Sequence, residues 1–145
     1  MRDLVAHVVT THGRVMAALE DTEPVDTDTG AELLPQWLGA RSAVRAALAD
    51  EVRASKVVGG MFGDQPWESL VGRLLCSDTL IHTWDLACAT GQDESLDPGA
   101  VSKALESLTP LDAALRRPGG FAAKIETSPG ADAQTAFLNF CGRTV

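Results

Sequence analysis

The stretch from Pro66 to about Thr90 constrains the fold most, because apolar residues recur along it at helical spacing. Asp64 or Gln65 is placed to cap a helix, Pro66 suits its first turn, and Gly91 is placed to end it. The pattern predicts a long helix whose apolar positions are Trp67, Leu70, Val71, Leu74, Leu75, Leu80, Ile81, Trp84 and Leu86.

Two further helices are predicted in the first third of the chain. Arg2 to about Leu19 has helical spacing, and the acidic, Thr-rich segment 21–29, interrupted by Pro24, predicts a solvated connection. A second helix is predicted from Ala31 to about Ala54, with Pro35 in its first turn. Its apolar residues form one stripe, which comprises Leu33, Leu34, Trp37, Leu38, Val44, Leu48 and Val52.

The remaining segments complete a mainly α chain. Lys56–Gly63 surrounds a Gly-Gly pair with apolar residues, which predicts a small strand or hairpin from Val57, Val58, Met61 and Phe62. Asp97-Pro98 opens a helix that Pro110 divides before Arg116 and Arg117. After the alternating residues Phe121, Ala123 and Ile125, helical spacing returns from Asp132 to Cys141.

Composition limits the class of protein. The 145 residues, 45% hydrophobic and 22% charged, predict one globular domain over 1–145. A formal net charge of -8 opposes binding to nucleic acid or to anionic membranes. The chain has neither an apolar run of about 20 residues nor a secretory signal pattern. Three cysteines without a CxxC pair suggest no disulfide framework, so a reducing cytoplasm is predicted.

Asp78 and His82 form the most informative pair of polar residues. They are four residues apart on the long predicted helix, so both side chains lie on one face and can share one ligand. A carboxylate and an imidazole are good donors to a borderline divalent ion. His7, flanked by apolar residues on the first helix, is the best third donor, and a metal site at His7, Asp78 and His82 is predicted.

Structural interpretations of the same residues stay open. An Asp and a His one turn apart are often only a hydrogen-bonded surface pair, and a lone His on an apolar helix is usually a core residue. His12 is about 140° around the helix from His7 and is expected to be exposed. Asp3 and Asp85 share a face with a proposed ligand, as outer-shell partners or an alternative carboxylate.

The other reactive or aromatic side chains are expected to be structural. Cys76 and Cys88 do not point squarely at the predicted ion and are interpreted as buried thiols. The three tryptophans are expected to pack in the core, since large aromatic residues on amphipathic helices usually do; they are Trp37, Trp67 and Trp84.

Two runs carry a resemblance to a known family. Arg2–Val9 (RDLVAHVV) and Ser77–Gly91 (SDTLIHTWDLACATG) resemble the signature helices of an actinobacterial metal-binding family. This family is related to mycothiol-dependent maleylpyruvate isomerase, within the DinB-like superfamily. The resemblance extends over nearly the whole chain, and its most specific part is His82-x-Trp84-Asp85-Leu86. It implies a DinB-like bundle of up-and-down helices, with a short hairpin segment and C-terminal helices.

The resemblance also implies ligands and a cofactor. It assigns His7, Asp78 and His82 to zinc, or to nickel or another divalent ion, and implies mycothiol as a further ligand. Three protein ligands leave an open position at which an ion can hold a thiolate at neutral pH. A thiolate held there can attack an electrophilic carbon or add reversibly to a double bond. The expected activity is thiol transfer or isomerisation, with a small thiol and an electrophile as partners.

The chain departs from this family at both ends. Relatives have another helix before the one that carries the His, so part of the apolar stripe on Arg2–Leu19 is expected to be exposed. A homodimer, or a start codon assigned too late, would account for it. The isomerase also carries a further domain, so maleylpyruvate isomerisation itself is not expected. Alternatives are a non-catalytic module that binds metal or a small ligand, and a helical assembly unit with a vestigial site.

Overall fold

The chain is mainly α-helical with one short antiparallel hairpin, in a computed structural model that describes residues 1–60, 62–116 and 120–145. It forms two compact units, Met1–His82 and Thr83–Val145. The prediction of a mainly α fold with a hairpin is confirmed; the DinB-like bundle and the single domain stay predictions. Met61 and Arg117 lie outside the described residues. Within those residues, no helix combines the length and apolar character needed to cross a membrane.

The first helix, α1 (Arg2–Glu20), matches its predicted bounds. It ends at Asp21, whose backbone adopts the left-handed conformation at φ 55°, and the chain then returns along the helix. The Arg2 guanidinium donates to the carbonyl oxygen of Thr29 (2.7 Å), and the hydroxyls of Thr10 and Thr27 share a hydrogen bond (2.7 Å). The predicted solvated connection is therefore fastened to α1 by side chains that its composition did not single out.

The second predicted helix is two helices, α2 (Leu33–Leu48) and α3 (Glu51–Ala54). Asp50 separates them in an extended conformation and accepts hydrogen bonds from the backbone amides of Val52 and Arg53. The prediction of one continuous helix was wrong because an aspartate that can cap a new helix stops the previous one.

The hairpin lies between these helices and the long helical run. Strands β1 (Val57–Val58) and β2 (Gln65–Pro66) pair antiparallel, so a short hairpin is present as predicted. Its second strand lies beyond the predicted segment Lys56–Gly63 and does not include Phe62. Pro66 therefore precedes the helix instead of opening it, and neither Asp64 nor Gln65 caps it with its side chain.

The long helical run has three parts. It consists of α4 (Trp67–Leu70), a π-helical segment (Val71–Cys76) and α5 (Ser77–Thr90). Gly91 ends it at φ +64°, as predicted. The π-helical segment was not predicted, because apolar spacing does not distinguish one additional residue in a turn from a regular α-helix.

The core of Met1–His82 is built around Trp67, whose side chain is fully buried. Its indole Nε1 donates to the carbonyl oxygen of Val15 on α1 (2.6 Å), so the only polar atom of the side chain is paired. The predicted core role of this tryptophan is confirmed, whereas Trp37 and Trp84 are half-buried. The buried cluster comprises Val15, Leu19, Val44, Ala47, Val58, Trp67, Leu70, Val71 and Leu75.

Apolar exposure does not follow the sequence prediction. On α1 the apolar residues are buried or half-buried, so the expected exposed stripe on this helix is not observed. It is α2 that exposes large apolar side chains, with Leu34 63% and Leu38 47% exposed. The predicted stripe is therefore buried only in part, at Leu33 and Val44, and Ala47 completes the buried face of this helix.

The unit Thr83–Val145 packs α6 (Pro98–Leu108) against α8 (Ala133–Phe140). Both helices begin at an aspartate cap, of which the sequence predicted Asp97. Asp97 accepts from the amide of Ala100 (2.7 Å), and Asp132 from that of Thr135 (2.8 Å). The predicted division at Pro110 is confirmed, since a 3-10 turn (Thr109–Leu111) leads into α7 (Asp112–Leu115). The alternating residues of segment 121–125 form no strand.

The three cysteines differ in exposure. Cys141 is fully buried, and burial raises the pKa of its thiol to about 12 although Arg143 and Arg116 act in the opposite direction. Cys76 and Cys88 are exposed. The interpretation of these two as buried thiols was wrong, because each lies on a helix face that packing leaves open to solvent.

We expect two thiols of the native protein to react with Ellman's reagent at pH 8, and the third only in denaturant. Cys141 is protected both by burial and by its raised pKa, since the thiolate is the reacting form. Cys76→Ser should remove one fast equivalent, whereas Cys141→Ala should remove only the slow one. Three fast equivalents in the native wild type would contradict this assignment.

Candidate metal centre

The residue that α1 contributes to the site is His7. The helix buries Ala6 and Val9 on either side of it, while the His7 side chain is 44% exposed. Thr11, one turn later, donates its hydroxyl to the His7 carbonyl oxygen (3.1 Å). Local packing therefore fixes the backbone of His7 and leaves its imidazole at the surface.

The other two residues lie at the start of α5, directly after the π-helical segment. Asp78 and His82 are one helical turn apart, and each side chain is 16% exposed. The predicted shared face is confirmed, because His82 Nε2 lies 3.5 Å from Asp78 Oδ1. π-helical turns occur often at functional sites, and this one ends two residues before the carboxylate.

Both imidazoles converge on one carboxylate oxygen. His7 Nε2 donates to Asp78 Oδ1 at 2.8 Å, and the two imidazole rings meet edge to face with centroids 4.8 Å apart. One ligand atom from each of the three residues lies within 4.8 Å of the others. The structure thus brings together all three residues that the sequence singled out. Their role as metal ligands stays a prediction.

Asp78 is an ionised carboxylate although burial removes part of its hydration. Burial raises its pKa, but hydrogen bonds from His7 and His82 and the charge of both imidazoles outweigh burial and lower the pKa to about 2. Its second oxygen, Oδ2, is buried and has no hydrogen-bond partner among the described residues. A buried ionised oxygen without a donor is costly, so the site favours a cation.

The donor set suits a borderline divalent ion. Zinc lies about 2.0–2.1 Å from imidazole nitrogen and carboxylate oxygen, which puts the ligand atoms of a tetrahedral site about 3.3 Å apart. The observed 2.8 and 3.5 Å separations from Asp78 Oδ1 bracket that value. Each Nε2 now faces the carboxylate as an N–H donor. If the proton of each imidazole moved to Nδ1, Nε2 would have a free lone pair for a metal ion.

Ser77 is a neighbour of the site that the sequence analysis did not single out. Its side chain is buried, and its hydroxyl, like Asp78 Oδ2, has no hydrogen-bond partner among the described residues. A serine inside a helical run carries no signal of its own, because serine is common on solvated helix faces. Ser77 becomes apparent only in the folded structure, where its side chain is buried next to Asp78.

The proposed outer-shell carboxylates do not join the group. Asp3 is exposed, and the group of neighbouring donors found among the described residues comprises His7, Asp78 and His82. Asp85 accepts hydrogen bonds from the Arg143 guanidinium at 2.8 and 3.2 Å. The carboxylate that spacing suggested as an alternative ligand is thus occupied by an arginine distant in sequence.

His12 was expected to be exposed, and the structure contradicts that. Its side chain is buried, and its Nδ1 donates to the carbonyl oxygen of Val8 one turn earlier (2.7 Å). Such a local hydrogen bond offsets the cost of burying an imidazole, and the position of a residue along a helix does not reveal it. The sequence argument that His12 cannot join His7 in one site agrees with this geometry.

The helices and the three-residue donor group define a mainly α protein with a candidate metal centre. Two uncharacterized proteins of Mycobacterium tuberculosis strains, MT0763 and Rv0738, are each 33% identical to this chain over 157 aligned positions, which cover all of it and 80% of each relative. The chain belongs to the family of these mycobacterial proteins. No family model matches it, and no solved structure does.

The two histidines of α1 should respond differently to truncation. His12→Ala removes a buried ring and its hydrogen bond, so we expect a loss of roughly 1–3 kcal/mol in the free energy of unfolding. His7→Ala, at a half-exposed position, should cost less than about 1 kcal/mol in metal-free buffer. Urea denaturation with a chelator present measures both. A larger loss for His7→Ala would show that the site supports the fold.

Proposed function

We propose that this protein binds a divalent metal ion, zinc in the first instance, through His7, Asp78 and His82. The observation that carries the proposal is the convergence of two imidazole Nε2 atoms on one half-buried carboxylate, at 2.8 and 3.5 Å. Further support comes from Asp78 Oδ2, a buried ionised oxygen without a partner among the described residues. If the group were only a structural ion pair, that oxygen would be expected to have a hydrogen-bond partner. A bound metal ion would compensate its charge without one.

The same site supports a proposal about chemistry. We infer that the protein is a transferase or isomerase that uses a low-molecular-weight thiol, with mycothiol as the expected thiol. An ion with three protein ligands keeps an open position, at which it lowers the pKa of a bound thiol and supplies Lewis acidity. The chain's own part is to fix the ligands on two helices and, through the 44% exposed His7, to leave one side reachable from solvent.

Zinc binding should depend on each of the three ligands. We expect His7→Ala, Asp78→Asn and His82→Ala each to weaken zinc by roughly 100-fold or more, since even outer-shell partners are worth about 10- to 100-fold. Isothermal titration calorimetry measures this, with elemental analysis of the protein as purified. Asp3→Asn, which removes a carboxylate one turn from His7, is the matched control and should bind like wild type. Wild-type protein that takes up no zinc, nickel or cobalt would refute the site.

Thiol chemistry should require the loaded site. The zinc-loaded protein is mixed with mycothiol and monochlorobimane, and formation of the fluorescent adduct is compared with a mixture that lacks protein. We expect acceleration by wild type and Asp3→Asn, and none by Asp78→Asn. Mycothiol that binds in calorimetry without faster adduct formation would point to a binding module instead of an enzyme with this substrate.

A further inference from the structure

The exposed face of α2 carries a regular pattern that the metal site does not use. Five exposed residues follow each other at spacings of four, three, four and three, namely Leu34, Leu38, Arg41, Arg45 and Leu48. At about 100° per residue they fall within an arc of about 80° and extend about 21 Å along the helix. We call this set the α2 stripe.

Burial of α2 does not involve the stripe. The helix packs through Leu33, Val44 and Ala47, whose face is about 100° away. Leu34 and Leu38 are 63% and 47% exposed, and Leu48 is 40% exposed. Leu34, Leu38 and Leu48 thus occupy positions of a 3.5-residue period, and exposed apolar residues at such positions suit contact with a second helix.

The charge of the stripe distinguishes among possible occupants. Helix α2 contains two arginines and no acidic residue, in a chain of net charge -8. Arg41 stacks on Trp37 (5.3 Å), and neither Arg41 nor Arg45 forms an ion pair with a carboxylate among the described residues. An apolar partner would bury two unpaired guanidiniums, which is costly, so the partner needs carboxylates opposite them.

Two α2 stripes paired with each other do not meet this requirement. If two stripes pair in parallel, each arginine faces the same arginine of the other molecule. If they pair antiparallel, Leu34 meets Leu48, Leu38 meets Arg45, and Arg41 still faces Arg41. Like charges in contact oppose association, and no carboxylate of α2 offsets them.

We propose that the α2 stripe is a docking site for an amphipathic helix of another protein, with apolar residues at its ends and carboxylates between them. Leu34 and Leu38 contact one apolar end, and Leu48 contacts the other. Arg41 and Arg45 bind the carboxylates and set the register. The surface is separate from the three donor residues, so this docking does not depend on bound metal.

Two synthetic helical peptides test the proposal by calorimetry. Both have leucine at the outer seam positions; one has glutamate and the other lysine at the two central ones. Wild-type protein should bind the glutamate peptide at least about tenfold more tightly, the difference that one close charge pair supplies. Arg45→Glu should remove this preference. Arg14→Glu, the same charge change at an exposed position of α1, should retain it.

Several results would overturn the proposal. These are no binding of either peptide, equal affinity for both, or an equal loss with Arg14→Glu, which would indicate bulk charge alone. Sedimentation is expected to show that the stripe does not self-associate. A dimer that Leu38→Ser dissociates would make the occupant a second copy. The substituted residues are exposed, and circular dichroism checks each variant; if Leu38→Ser does not fold, the Arg45→Glu comparison decides.

Discussion

The indole of Trp67 fixes where α1 lies against the helix that follows the hairpin. Its side chain is fully buried, and Nε1 donates to the carbonyl oxygen of Val15. A large aromatic side chain with its single donor satisfied supplies both apolar area and an orientation. His7 lies on the same helix as Val15, and Asp78 on the same helical run as Trp67. The meeting of His7 with Asp78 therefore depends on this contact, although Trp67 takes no part in the donor group.

The donor group balances two opposing electrostatic effects. Burial of Asp78 disfavours its charge, whereas two imidazoles directed at Oδ1 favour it, and the second effect prevails. The balance is incomplete, because Oδ2 and the hydroxyl of Ser77 are buried without hydrogen-bond partners among the described residues. Stability alone would select a fully satisfied network or an apolar one. The unpaired Oδ2 beside two histidines is therefore a feature that supports the proposed metal site.

On helix α2, the face that packs in the core is not the face that carries the regularly spaced leucines. Leu33, Val44 and Ala47 are sufficient to bury one face, and the apolar residues of the neighbouring face are left in water together with two arginines. Single exposed apolar residues are normal on proteins, but a seam with heptad spacing is not explained by the core. The donor group and the α2 stripe thus lie on different helices and involve different chemistry, one polar and half-buried, the other apolar and basic.

The sequence by itself determined the helical class, most element bounds and the shared face of Asp78 and His82, because periodicity and caps act within a few residues. Asp97 caps as expected, and α1 begins and ends where its spacing indicates. Local rules did not reveal the start of α3 at Asp50, the π-helical segment or the burial of His12. Only the tertiary structure decided that His7 meets Asp78, that Arg143 occupies Asp85, and that Leu34 and Leu38 face water. These outcomes depend on which elements pack together, and contacts between residues distant in the chain leave no trace in local spacing.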